Sequence, residues 1–243
     1  MAVHIGTAGW SYWHWGGVLY PNGLPSDRRL DQYVREFRTV ELNASYYRWP
    51  TDAAFTSWRR RLPTTFILSV KAPRALTHAK RLYAPESWLA RIARGLSRLG
   101  PCAGVLLVQL PPAAAFDRAR LAYFLRCVPA TLRVCVEFRH PSWHQDVIFD
   151  LLQEHGAAYC VMSGANLPCI LRATAGFVYV RLHGPDHHRM YAGSYSDDEL
   201  RWWSWRIGEW QAMGRDVLVY FNNDGAGNAV RNARILIEMI DGS

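Results

Sequence analysis

Lysine is almost absent from this chain. Lys71 and Lys80 are the only two in 243 residues, although lysine and arginine together number 28 against 20 acidic residues, a formal net charge of +8. The cationic surface is therefore an arginine surface. A basic balance attracts nucleic acid or anionic metabolites, but a solvated arginine face produced by coding bias gives the same sum, so individual positions must carry the argument. Long hydrophobic runs are also missing. None approaches the ~20 residues that span a bilayer, which excludes a membrane-spanning reading. MAVHIGTAGW enters strand-like sequence at once, with no basic region followed by an apolar secretory stretch, and the expectation is a cytoplasmic protein. No C-x-x-C pair exists. Cys102, Cys127, Cys135, Cys160 and Cys169 are odd in number and irregularly spaced, which argues against a disulfide framework or a cysteine zinc site. No linker, known repeat or low-complexity segment is present, so a single domain over 1–243 is expected.

What is there is a rhythm. Eight short β-branched or apolar segments recur at 3–9, 39–45, 66–72, 104–110, 133–139, 157–163, 177–183 and 216–223. Between most of them lie amphipathic helical patterns, at 30–37, 87–99, 117–128, 147–156, 196–214 and 228–240. Asp117 and Ser196 fit helix N-caps, and Gly156 and Gly214 fit C-terminal stops. Strand alternating with helix implies a parallel sheet, and eight units imply closure. The fold class is thus α/β, a (β/α)8 TIM-like barrel. The sixth crossover, 164–176, is short and broken by Pro168, so a loop is expected there in place of a helix.

Polar residues collect where the strands end. Thr7, Glu41 and Asn43, Ser69 and Lys71, Gln109, Glu137 and Arg139, Ser163, Arg181 and His183, then Asn222, Asn223 and Asp224 close the eight strands in turn. Several are i, i+2 pairs, and a period of two puts both members on one face. Barrel enzymes carry their chemistry at this C-terminal end. A self-satisfied ion-pair network plugging the barrel would also use such residues, but the N-terminal ends lack a comparable density, which plugging does not explain.

Three loops add detail. GWSYWHWGG (9–17) offers Trp10, Tyr12, Trp13 and Trp15 either to stack on sugars or bases or to wall the barrel top. NNDGAGNA (222–229) sets Gly225 and Gly227 before a helix, a common phosphate-binding place in barrels. HGPDHHRMYAGSY (183–195) holds His183, His187 and His188. With Glu41, Glu137 and His78 these offer nitrogen and oxygen ligands to a divalent metal, without any ligand spacing in support, so no metal residue is assigned. Glu41, Glu137 and Asp224 are the only carboxylates at inward strand ends, and strands 4 and 7 end in Gln109 and His183. That argues against ordinary two-carboxylate glycosidase chemistry.

The ordered motifs GTAGWSYWHWGG, VELNASYYRWP, SVKAPRALTH, QLPP, VEFRHPSW, VRLHG, YAGSY and FNND span essentially the whole chain. In them the sequence resembles the YecE-like family, a domain of unknown function. The resemblance implies a (β/α) barrel and no settled activity. Its motif positions fall here at Thr7, Trp10, Glu41, Asn43, Tyr47, Lys71, His78, Gln109, Glu137, Arg139, His140, Trp143, Arg181, His183, Gly193, Tyr195, Asn222 and Asn223. Where many relatives carry an acidic residue at the end of strand 6, this chain has Met162 and Ser163.

The leading expectation is an enzyme acting on an anionic, phosphate-bearing substrate. Glu41, Lys71, Glu137, Arg139 and His183 are its candidate catalytic residues. Thr7, Trp10, Tyr12, Asn43, Tyr47, His78, Gln109, Trp143, Arg181, Tyr195, Asn222, Asn223, Gly225 and Gly227 are candidates for substrate binding. Glu41, hydrogen-bonded through Asn43, would be a general base; Lys71, Arg139 and Arg181 would stabilise negative charge; His183 or His78 would carry protons. The alternatives are a nucleic-acid-binding protein or metal-dependent repair endonuclease, and a non-catalytic ligand-binding or assembly protein.

Overall fold

The computed structural model describes residues Met1–Gly242. Eight strands follow one another around a closed barrel: β1 (Val3–Ala8), β2 (Thr39–Leu42), β3 (Ile67–Lys71), β4 (Ala103–Gln109), β5 (Arg133–Glu137), β6 (Ala158–Ser163), β7 (Phe177–Leu182) and β8 (Asp216–Phe221). The expected α/β barrel is the observed one. Strands buried on both faces read as near-continuous apolar runs; β7 and the last five residues of β8 are buried throughout.

The chain divides into two compact units. The first comprises Met1–Glu41, Val161–Leu171 and Phe177 onward. In it β1 runs parallel to β8, from Val3 beside Val217 to Thr7 beside Phe221, and β7 lies along β8 on its other side. Helices α1 (Arg29–Tyr33), α7 (Asp197–Ala212) and α8 (Asn228–Asp241) belong to this unit. Ser196 and Glu199 form a reciprocal capping box at the start of α7, satisfying amide donors that have no partner inside the helix. Gly6 is required by packing, because a Cβ there would stand 2.2 Å from the Thr39 carbonyl oxygen.

The second unit comprises Leu42–Cys160 and Arg172–Gly176. It contains parallel β3, β4 and β5 with α2 (Ala44–Tyr47), α3 (Asp52–Arg61), α4 (Glu86–Ser97), α5 (Arg118–Cys127) and α6 (Asp146–Glu154). Where the β3–β4 register shifts, the Val105 amide donates to Ser69 Oγ at 3.1 Å.

Most expected boundaries hold within a residue or two. Asp117 and Ser196 cap their helices, and Gly156 and Gly214 follow α6 and α7 at φ 62° and 80°. No helix occupies 164–176, as the broken pattern predicts. Two readings need correction. The helix expected over 30–37 is only Arg29–Tyr33, followed by turns. Helix α3 went unpredicted because only Phe55 of its ten residues is buried, leaving little apolar period to detect. Its one local signal is Thr51, whose hydroxyl accepts the Ala54 amide at 3.2 Å.

Candidate functional site

In the second unit, polar side chains gather at the ends of β3, β4 and β5. Lys71 is the last residue of β3, and its ammonium lies 4.6 Å from the Tyr46 ring centroid. Local folding fixes this pair. Ser45 Oγ donates towards the carbonyls of Leu42 and Lys71, at 2.8 and 2.7 Å, fastening α2 to the end of β3. A five-residue π-helical turn, Ala75–Ala79, then carries His78 to the same ring, 5.1 Å away and edge-on.

The Thr77 hydroxyl stands 3.3 Å from the Pro73 carbonyl and 2.9 Å from His78 Nδ1. This side-chain contact orients the imidazole on its turn. Burial, assisted by the positive charges of Lys71 and Arg74, holds the His78 pKa below its ordinary value of 6.5, so the imidazole is neutral at pH 7.

On the neighbouring strands, Gln109 pairs in register with Glu137. Gln109 Oε1 is buried without a hydrogen-bond partner. Arg139 donates through Nε to Glu137 Oε1, the two side chains being 6% and 0% exposed. The Cys160 thiol donates to Oε2 at 3.7 Å. Trp143, expected at the substrate, instead stacks on Phe138 at 4.8 Å and donates to the Ala114 carbonyl. Tyr47 is 83% exposed.

In the first unit, Glu41 is bound on both oxygens. Arg181 donates through Nη2 to Oε1 at 2.7 Å and through Nε to Oε2 at 3.0 Å, and the Tyr179 hydroxyl donates to Oε2 at 2.7 Å. Both charged side chains are 0% exposed. Asn43, expected to bond Glu41, has left the strand for the N-cap position of α2, where its side chain makes no capping bond and its Oδ1 has no partner. With both oxygens taken by the guanidinium and the tyrosine hydroxyl, Glu41 stands as a charge-balanced support. His183 lies one residue past β7; its amide donates to the Ser163 carbonyl at 2.7 Å and its Nδ1 meets Asn222 Nδ2 at 3.1 Å. A Cβ at Gly164 would sit 2.8 Å from His183 Cβ, so the β6 loop packs closely on this residue.

Other expected site residues of this unit are committed to packing. The Thr7 hydroxyl donates to the Gly9 carbonyl at 2.7 Å and meets the Tyr33 hydroxyl of α1 at 2.9 Å. Tyr33 itself is fully buried, so this polar strand residue turns to the helix layer and not to the barrel interior. The Tyr12 hydroxyl donates to the Ala8 carbonyl, and the Trp10 carbonyl accepts from Tyr20. The Tyr195 hydroxyl accepts from the Gly184 amide and donates to Ser163 Oγ, and burial pushes its phenol well above the ordinary tyrosine value. Asn223 binds the Gly193 carbonyl and Asn232. Gly227 needs its φ of 77° and its bareness, since a Cβ would meet Val18 at 2.9 Å. Gly225 opens the turn before α8, beside an Asp224 carboxyl raised by burial.

A family model described as a protein of unknown function, DUF72, matches residues 4–243. The chain belongs to this family. Similar relatives include UPF0759 protein YunF of Bacillus subtilis, 27% identical over 274 aligned positions that cover 98% of this chain and 95% of the relative. UPF0759 protein YecE of Escherichia coli K12 is 28% identical over 144 positions, 58% of this chain and 50% of YecE. A DUF72 family crystal structure from Thermotoga maritima superposes with a TM-score of 0.88 at 28% identity, covering 99% of this chain and 100% of that one. The YecE-like resemblance of the motifs is thereby borne out.

The DUF72 chain shows no group of three His, Cys, Asp or Glu side chains placed to hold a metal among the described residues. His187 and His188 are exposed. No helix among those residues is long and apolar enough to cross a membrane. At the end of β6, where an acidic residue is absent, Met162 is buried and Ser163 accepts the Tyr195 hydroxyl. Four residues with a part in the two clusters escaped the sequence reading: Tyr46, Arg74, Tyr179 and Cys160. Tyr179 was detectable, since it precedes Arg181 by two in the same strand and shares its face.

Proposed function

We propose that this DUF72 protein is an enzyme acting on an anionic, phosphate-bearing substrate at the C-terminal ends of β3, β4 and β5. One observation carries the reading: the Lys71 cation and an uncharged His78 meet on the same tyrosine ring. Lys71 would hold the phosphate as a point charge, and His78 would take a proton from the substrate, a role suited to an imidazole neutral at the working pH. The partnerless Gln109 Oε1 supports a ligand donor there, because a buried unsatisfied acceptor costs about 1–3 kcal/mol. Arg139 lends positive charge to the rim while balancing Glu137. A cytoplasmic location is part of this proposal and agrees with five free cysteines.

The test is a thermal-stabilisation screen with inorganic phosphate, sugar phosphates and nucleotides, followed by turnover assays on the hits. The reading expects stabilisation by at least one phosphate compound, loss of it in Lys71→Met, and retained binding with lost turnover in His78→Asn. Silence across the screen, with and without divalent metal, removes the proposal.

A further inference from the structure

Beyond that chemistry, the second unit carries an open groove of about 530 Å3 bordered by α2, the π-helical turn and α4. Its lining includes Arg48, Arg74 and Arg91 together with Tyr46, Tyr47 and Trp88, and contains no carboxylate. All three arginines are exposed, and neither Arg48 nor Arg74 has an ion-pair partner among the described residues. Arginines nearby behave differently: Arg94 and Arg98 direct their charge to Asp52 at 3.3 and 3.8 Å. The groove therefore concentrates cations that the protein leaves unneutralised.

The aromatic rings decide what kind of anion fits. Tyr47 is 83% exposed and stands edge-on to Tyr46 at 5.0 Å, while Arg91 lies 5.8 Å from the Trp88 ring. A small anion would use one or two of the guanidinium groups and none of the rings. A polymer that alternates phosphates with flat aromatic groups uses both, since every base offers a π-face whatever its identity. In a duplex those faces are stacked inside the helix and cannot reach Tyr47 or Trp88. We infer that this groove binds single-stranded nucleic acid, with the arginines on phosphates and the exposed Tyr47 and half-buried Trp88 rings on bases. The inference requires no reaction at Lys71 or His78, so it stands or falls apart from the proposed enzyme activity.

Fluorescence anisotropy with a labelled single strand of about 12 nucleotides, within the usual site size, tests it between roughly 50 and 200 mM salt. The wild-type protein is expected to bind, with affinity falling steeply as salt rises. Each phosphate neutralised on a single strand contributes about 0.7 to the slope of log K against log salt, so Arg48→Ala/Arg74→Ala/Arg91→Ala should lower the slope by about 2. Loss of one stacked base in Tyr47→Ala should weaken binding by roughly 5- to 150-fold. Arg94→Ala, outside the groove lining, should change neither. No binding, binding indifferent to these substitutions, or equal affinity for the matching duplex overturns the inference. Full competition by base-free polyphosphate, with Tyr47→Ala silent, also overturns it and leaves a base-blind polyanion surface.

Discussion

Replacing Arg181 by methionine strips one partner from a fully buried ion pair. Glu41 then keeps only the Tyr179 hydroxyl at 2.7 Å and loses the two arginine contacts at 2.7 and 3.0 Å. With both side chains at 0% exposure, water cannot replace the missing donors. Removing one member of such a pair costs about 3–5 kcal/mol. In a chain of this length each kcal/mol corresponds to roughly 2–4 °C in Tm, which gives a fall of about 6–20 °C. Glu41→Gln should cost a comparable amount, because it removes the carboxylate charge that the buried guanidinium faces. The double substitution Glu41→Gln/Arg181→Met removes both charges, and replacing a whole buried pair is often close to neutral. Circular dichroism followed through thermal and urea unfolding gives all three values and closes a double-mutant cycle. The reasoning is refuted if Arg181→Met costs less than about 1 kcal/mol, or if the double variant loses the sum of the two singles.

Further outcomes follow from the same structure. Gly6→Ala forces a methyl group onto the Thr39 carbonyl, 2.2 Å away; overpacking of this kind costs about 1–3 kcal/mol or more, and unchanged urea stability would contradict it. Ser196→Ala removes the α7 capping box and should cost about 0.5–2 kcal/mol in the same assay. His78 should titrate below its ordinary 6.5 by NMR, and Arg74→Ala should move the midpoint upward. Because the folded pKa is depressed, the unfolded chain takes up the His78 proton first as pH falls below 6.5. The native state therefore loses stability down to the folded midpoint, and His78→Gln should make stability less pH-dependent in that window. A midpoint at or above 6.5 would contradict the charge assigned to His78.

The barrel was legible because strands covered on both faces must be apolar along their whole length, and eight such runs alternate with helical periods. The broken crossover after β6 was equally legible, since Pro168 and two glycines leave no room for a helix. Partners were not legible. Nothing local to Glu41 announces that its counter-charge stands 140 residues away on β7, and the nearer Asn43 invites the wrong pairing. Polarity near a strand end also misleads when a helix supplies the partner: Thr7 turns away from the barrel axis because the Tyr33 hydroxyl waits there. The cluster around Lys71 depends on Tyr46, which α2 delivers through the Ser45 bond to the end of β3. Short helices of this sort carry no period for a sequence reading to find.

The proposed chemistry meets its most direct test in an NMR titration of the His78 ring with inorganic phosphate at neutral pH. A bound anion near Lys71 should shift the ring resonances saturably and raise the His78 midpoint, and Lys71→Met should abolish both effects. Resonances that stay fixed through the titration, or that respond equally in Lys71→Met, would contradict an anion site at the end of β3.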